Sequence, residues 1–393
     1  MNLSRAFEIC TKADWVTRHN REVREVCDSH HADKPIRVPV QFTGARVSYF
    51  ERNGVDWRRF YEDPDEMIRL QLEAAKHYRE LPLGDHVLGE APEHWDVSVD
   101  FHPVGSAACF GCPLLFRPDA VPASESLHLS LDQCRELPLP DLRTSGLLPR
   151  YAAFVEHFDR RCSDGLRFLG RGVRRVKPTL PSPGGGTFSL ALDLRGSEIM
   201  SDMYEDPDFV HAFLLRLAEW RIDLRRTWTR RDGMEFLLDQ PGKDSIEITD
   251  HGIDMLSVQT YETFLGSLVE QLCRKYSQSP NRLLHHCGRG THLFSAMRRR
   301  YGFTTIHGLT WPVNDVAKVR RELGYDVWIE AVVADSILCQ GPDATRHAVR
   351  EFLTPEVKGS GRLQIWVPGE VQGIPRASYE ALYQAVKDFG RYQ

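Results

Sequence analysis

The chain has 393 residues with 50 lysines and arginines against 55 aspartates and glutamates, a formal net charge of −5, and 41% hydrophobic and 27% charged residues. That composition can fill a sizeable core, and it excludes a disordered or fibrous chain, while the slight acidity argues against a broad nucleic-acid footprint. No apolar run approaches the roughly 20 residues a spanning helix needs, and nine scattered cysteines suit reduced thiols better than a disulfide framework.

The N-terminal stretch MNLSRAFEICTKADWVTRHNREV mixes charge and hydrophobe at helical spacing and lacks the apolar h-region of a secretory signal. A cytoplasmic protein without membrane or nucleic-acid partners is the expectation. Ile36 to Phe42 (IRVPVQF) reads as a first strand. Gly54 to Pro149, rich in Pro, His and acidic residues, reads as an elaboration over a barrel mouth and not as an independent domain. Within it CFGC, at Cys109 and Cys112, has no second CxxC to complete a four-sulfur site, so it reads as reduced cysteines around a tight turn or as half of a metal or redox site. PTLPSPGGGT, Pro178 to Thr187, is a loop that should enter a strand, TFSLALDL, ahead of a helix beginning near Pro207. The basic runs Arg225 to Arg231 and Arg298 to Arg300 read as solvated helix faces.

The C-terminal two-thirds of the chain repeats one rhythm: a short β-branched or aromatic run, a turn, then an amphipathic stretch. MEFLLD (Met234 to Asp239) and SIEITD (Ser245 to Asp250) are strand-like, and YETFLGSLVEQLCRKY follows with apolar residues at helical spacing. Then come RLLHH with its helix, FTTIHGL with VNDVAKVRREL, DVWIEAVV with ATRHAVREFL, and RLQIWV with SYEALYQAVKDFG. Strands alternating with helices of this length imply a parallel sheet, with strands apolar on both faces. No GxGxxG opens a first strand–helix unit, so a closed (β/α)8 TIM barrel is expected over an open doubly wound sheet. The whole chain, 1–393, is read as one such domain: about 1–150 carries N-terminal helices, the first strand and the elaboration, and about 151–393 the main strands and helices. No internal repeat is visible beyond this alternation.

Strand ends of this kind are where parallel-sheet enzymes put their chemistry. In LLHHCGRG, His285 and Cys287 are two apart and share a strand face, while His286 faces the other way. An imidazole and a thiolate on one face suit Zn2+, which would need further donors from elsewhere; the same spacing also suits a buried cysteine beside hydrogen-bonded histidines. His307, on the next strand, and Cys339 are further candidate donors. On SIEITD, Glu247 and Asp250 are candidate acid–base residues, with Asp250 and His251 ending the strand and Asp239 ending the one before; a helix cap or turn carboxylate is the competing reading. Tyr261, His307 and Arg195 are candidate substrate contacts.

From about Gly184 onward the order GGGTFSLALDLRG, MYEDPDFVHAFL, SIEITDHGIDMLSVQTYETF, LLHHCGRG, GLTWPVNDVAKVRRELG, SILCQGPDATRHAVREFL and VPGEVQGIPRASYEALYQAVKDFGRY resembles the uroporphyrinogen decarboxylase superfamily. The HxC strand resembles its zinc-dependent branch, typified by methylcobalamin:coenzyme M methyltransferases, and the N-terminal part matches more loosely. The resemblance implies a (β/α)8 barrel with its site at the C-terminal strand ends, zinc on His285 and Cys287, and Thr310 where the family has an acidic residue. The family's second zinc cysteine falls on Glu370, a donor that would make a harder, less electron-donating site.

The arginine-rich segment with which tetrapyrrole decarboxylases hold their substrate corresponds to FTGARVSYF, which retains Arg46 but lacks the first arginine. Losing one of two cations that face a polyanion argues against that activity. No DxHxxG cobalamin signature is present; GDHVLG only approximates it. A corrinoid would therefore arrive free or on a separate protein.

The expected function is a zinc-dependent methyltransferase moving a methyl group between a small substrate and a corrinoid or thiol acceptor, with Zn2+ as Lewis acid. The alternative is a metal-assisted decarboxylase or lyase acting on a small carboxylated substrate, and a third reading is a non-catalytic metal-binding or scaffold protein.

Overall fold

The computed structural model describes residues 14–392 except 45, 102, 118–119, 178–185, 236–246, 250–251 and 277–281, with backbone alone at 247–249 and 276. Eleven strands lie among these residues: β1 (Val40–Phe42), β2 (His94–Val97), β3 (Leu114–Arg117), β4 (Ala120–Ser124), β5 (Arg167–Phe168), β6 (Arg171–Arg175), β7 (Glu247–Thr249), β8 (Leu283–His285), β9 (Thr305–Trp311), β10 (Trp328–Val333) and β11 (Leu363–Val367). Six of them form one sheet in the order β1-β11-β10-β9-β8-β7. Every pairing in it is parallel.

The first strand thus lies beside the last, with Val40 opposite Ile365 and Phe42 opposite Val367. β2 pairs in parallel with β6, which turns back on β5, and β3 with β4 is a separate hairpin. Parallel neighbours need crossovers, and helices supply them: Phe294–Tyr301 between β8 and β9, Val316–Leu323 between β9 and β10 and Pro342–Phe352 between β10 and β11, while Arg376–Phe389 follows β11 as the last helix.

Local chemistry sets these helices. Asp315 caps the second by accepting from the Lys318 amide, and Pro342 opens the third behind Gly341. In the last, Tyr379, Leu382, Tyr383 and Val386 recur at three- and four-residue spacing and are buried, which turns one stripe of the helix onto the core. The strands contribute Val40, Leu284, Ile306, Ile329, Ala331, Leu363 and Ile365 to the same core, all fully buried.

Two expectations are corrected. TFSLALDL is not a strand: Thr187–Arg195 is an α-helix with Phe188, Leu190, Ala191 and Leu194 buried. Eight residues rich in Leu and Ala carry good helix propensity, and so short an apolar run does not distinguish helix from strand by period. The sheet is also not apolar on both faces. In β9, β10 and β11 the residues that alternate with the core positions are half-exposed, and they include His307, Glu330, Gln364 and Trp366. Among the described residues no helix is long and apolar enough to cross a membrane.

Candidate functional site

The half-exposed face of the sheet carries a row of polar side chains at one height. Registry pairs His285 with His307, His307 with Glu330, and Glu330 with Gln364, so four adjacent strands each give one residue. Period-two geometry requires this, since residues at matched positions of neighbouring strands emerge on the same side. Gln364 extends the row to β1, where its Nε2 donates to Gln41 Oε1 at 2.6 Å.

The Nδ1 atoms of His285 and His307 are 2.6 Å apart, so one carries the hydrogen that bonds to the other. Nε2 of His307 lies 3.4 Å from Glu330 Oε2. Burial pushes the Glu330 carboxyl above its ordinary range, against the opposing pull of a hydrogen bond with Gln364 and the charge of His285. One layer nearer the strand ends, the indole of Trp366 packs against His307 with ring centroids 4.1 Å apart and donates from Nε1 to Thr43 Oγ1 at 3.1 Å.

A bulge seats this pair. Registry between β9 and β10 runs from His307 opposite Glu330 to Leu309 opposite Ala331, which leaves Gly308 unopposed at φ +85°. A Cβ there would stand 3.2 Å from Cε1 and 3.3 Å from Nδ1 of His285, so only glycine gives both the backbone turn and the room for the imidazole.

His286 takes the other face, fully buried in a T-shaped contact with Phe294. Gly290 lets the chain cross that ring, since a Cβ would come within 2.6 Å of His286 and 2.7 Å of Phe294. Beyond the strand Cys287 is exposed, and Thr310 donates to its carbonyl at 3.2 Å. The loop is then tied down by Asn314, fully buried, whose Oδ1 accepts from the amides of Gly290 and Thr291 and from the Thr291 hydroxyl, while its Nδ2 donates to the carbonyls of Gly288 and Thr310.

Glu370 is fully buried just past β11, where His77 Nε2 lies 2.9 Å from Oε2, Arg376 Nε donates to Oε1 at 2.9 Å and Arg52 stands 3.6 Å away. Burial would raise its carboxyl, yet the hydrogen bonds from His77 and Arg376 and the charges of Arg376 and Arg52 bring it down to about 2. Among the described residues no group of three His, Cys, Asp or Glu that could hold a metal ion comes together.

Arg46 donates to Ser98 Oγ at 2.8 Å and to the Asp96 carbonyl, and burial lowers its pKa against the charges of Asp100 and Asp96. Tyr261 is buried at the start of a π-helical turn, Tyr261–Gly266. Arg195 forms a two-pronged pair with Asp202. Cys109 and Cys112 are buried thiols pushed up to about 12 by burial, which suits the tight-turn reading of CFGC; Cys339 is exposed. Asp239, Asp250 and His251 lie outside the described residues, and Glu247 is described only as backbone on β7.

Gln41, Glu330, Gln364 and Trp366 escaped the sequence reading. Their signal is present: VQF, IEAVV and LQIWV each alternate a polar side chain or Trp366 with apolar ones, which is how a strand reads when one face is wet.

A family profile described as Uroporphyrinogen decarboxylase (URO-D) matches residues 19–369. No curated protein matches the chain by sequence. Among solved structures, a methyltransferase from Methanosarcina mazei is similar in fold at a TM-score of 0.58 and 17% identity, over 93% of this chain and 98% of that one.

Proposed function

This chain belongs to the uroporphyrinogen decarboxylase family, and from that membership we propose that it is an enzyme that moves a methyl group between a small substrate and a corrinoid or thiol acceptor. Its six-stranded parallel sheet is read as most of a (β/α)8 barrel, because the first strand lies beside the last. The inner row then lies inside the barrel toward its C-terminal mouth, where this fold keeps its chemistry.

The observation that carries the reading is the chemistry of that wall. His285, His307, Glu330, Gln364 and Gln41 line it, and none of β1 and β7–β11 contains a lysine or arginine. A substrate with many carboxylates needs converging cations, which this wall does not offer, whereas a small neutral or cationic methyl donor needs none. Methyl transfer to a thiol or hydroxyl acceptor requires a base for the acceptor's proton. His285 supplies it, with His307 and Glu330 behind it, and Trp366 with His307 gives the substrate an aromatic wall.

The zinc implied by the family's methyltransferase branch would draw on His285 and Cys287 and supply Lewis acidity. The described residues do not fit that site as expected from the sequence, because the anticipated third donor, Glu370, is enclosed by His77, Arg376 and Arg52. No step is therefore routed through a metal. Elemental analysis of wild type beside Cys287→Ser tests the point separately: zinc in the first and its loss in the second would restore the metal reading.

The test of the function is methyl transfer with methylcobalamin and with cob(I)alamin across thiol, methoxy and methylamine substrates. Turnover with at least one pair is expected, falling about 100-fold or more in His285→Ala. Silence across the panel, with zinc supplied, rejects the proposal. The alternative, decarboxylation of a small carboxylated substrate, is favoured by Arg46, a half-buried cation that reaches from the helix Arg46–Arg52 after β1 to Ser98 and the Asp96 carbonyl of β2, and would be established by carbon dioxide release from a panel of carboxylated metabolites.

A further inference from the structure

Two glutamines meet on the half-exposed face of the sheet. β11 lies between β1 and β10, and its Gln364 stands opposite Glu330 on one side and bonds Gln41 on the other, Nε2 donating to Gln41 Oε1 at 2.6 Å. The same amide hydrogen-bonds the Glu330 carboxyl. An amide has two N–H donors and a carbonyl acceptor. Two amides joined by a single N–H···O bond therefore keep an N–H on one partner and a carbonyl oxygen on the other. Turning both over exchanges the roles and leaves the count unchanged. Here the donor left over is Gln41 Nε2 and the acceptor Gln364 Oε1, and neither has a further partner among the described residues. Gln41 is exposed and Gln364 half-exposed, so both atoms are within reach of a ligand.

A flat apolar surface adjoins this polar edge. Trp366 is opposite Gln41 in register, is half-exposed, and is fixed by its indole N–H, which donates to Thr43 Oγ1 at 3.1 Å. We propose that Gln41 and Gln364 form a binding edge for a carboxamide or lactam carried on a flat ring. The ligand carbonyl accepts from Gln41, its N–H donates to Gln364, and the ring lies against Trp366. A carboxylate brings two acceptors and would set one of them against the Gln364 oxygen. An ester has no N–H and leaves that oxygen without its hydrogen bond, so only an N–H beside a C=O answers both groups. That the ligand is the substrate rests on the methyl-transfer reading; the edge itself does not.

Titration of the full chain with benzamide, benzoate and methyl benzoate, followed by ligand-detected NMR, tests the edge without turnover. Benzamide should bind saturably and at least about 10-fold more tightly than either analogue. Gln41→Leu and Gln364→Leu each remove half of the edge at similar side-chain size. Each should bring benzamide down to the level of methyl benzoate while methyl benzoate itself stays within about twofold. Trp366→Leu should weaken both neutral ligands alike, because it removes the shared ring contact. The indole N–H resonance of Trp366, assigned by its absence in that variant, should shift as benzamide is added to wild type.

Benzamide and methyl benzoate bound equally by wild type, or benzoate bound most tightly, overturns the proposal whatever reaction the enzyme runs, and this comparison needs no variant to fold. Benzamide binding unchanged in both glutamine variants, each unfolding at the wild-type midpoint, overturns it as well. Amide selectivity in a protein inert toward every methyl donor supports the edge and rejects only the methyl-transfer reading.

Discussion

At the scale of single residues, two positions carry more than their side-chain size suggests. Gly308 has no side chain, yet its φ of +85° and its approach to the His285 ring make it a condition of the histidine pair. Gly308→Ala should cost about 1–3 kcal/mol in urea unfolding, and histidine 15N spectra should report displacement of His285; an alanine variant as stable as wild type with an unchanged ring would show that the bulge is not needed. Glu370 works by charge. Its carboxyl is held at about 2 in the fold, below the ordinary 4.5, so its contribution is fully present above pH 4.5 and is lost as pH falls toward 2. Up to about 3 kcal/mol is at stake at 1.36 kcal/mol per pKa unit. Glu370→Gln should be destabilised near neutrality, with the gap from wild type closing below pH 4.5; a gap constant down to pH 2.5 would remove the electrostatic account.

At the scale of elements, the loop between β8 and the helix Phe294–Tyr301 is held from outside. Asn314, from the loop after β9, satisfies the amides of Gly290 and Thr291 and two carbonyls, so two crossover loops are fastened by one buried amide. Asn314→Ala leaves those buried groups without partners, at a cost of about 2–3 kcal/mol. Hydrogen exchange at Gly290 and Thr291 should accelerate more than at Ile306 in the neighbouring strand. Equal acceleration at all three would mean that the loss is global and that the loop has no separate fastening.

For the whole molecule, the pairing of the first strand with the last joins distant parts of the chain. β1 pairs with β11 across more than 300 residues of sequence, and beneath them Arg37, fully buried, makes a two-pronged contact with Asp85. Asp85 also accepts from the Val40 amide and from the Tyr383 hydroxyl on the last helix, while Glu22 on the first described helix, Asp14–His31, reaches both Arg37 and Lys387. The N-terminal helix, the first strand and the C-terminal helix thus share one ionic knot. Asp85→Ala strands a buried guanidinium and should cost about 3–5 kcal/mol, read as a lower midpoint in thermal and urea unfolding; a change under 1 kcal/mol would mean that Arg37 finds another partner.

Periodicity and turn chemistry made the strand–helix alternation of β8–β11 and their helices legible, because each is decided within ten or twenty residues by an apolar stripe and its caps. The opposite facing of His285 and His286 was legible too, since strand parity is local. What the sequence left undecided was which face of the sheet meets water, because the same alternation fits a buried or a wet wall until the partner layer is known; hence Glu330, Gln364 and Gln41 went unnoticed. TFSLALDL is ambiguous for a related reason, a stretch of eight residues being too short for its period to separate helix from strand. Tertiary structure decided who meets whom. Register set His307 and Glu330 beside His285, and the return of the chain past β11 gave Glu370 to His77 and two arginines, because distances between side chains far apart in sequence are fixed by packing and not by spacing.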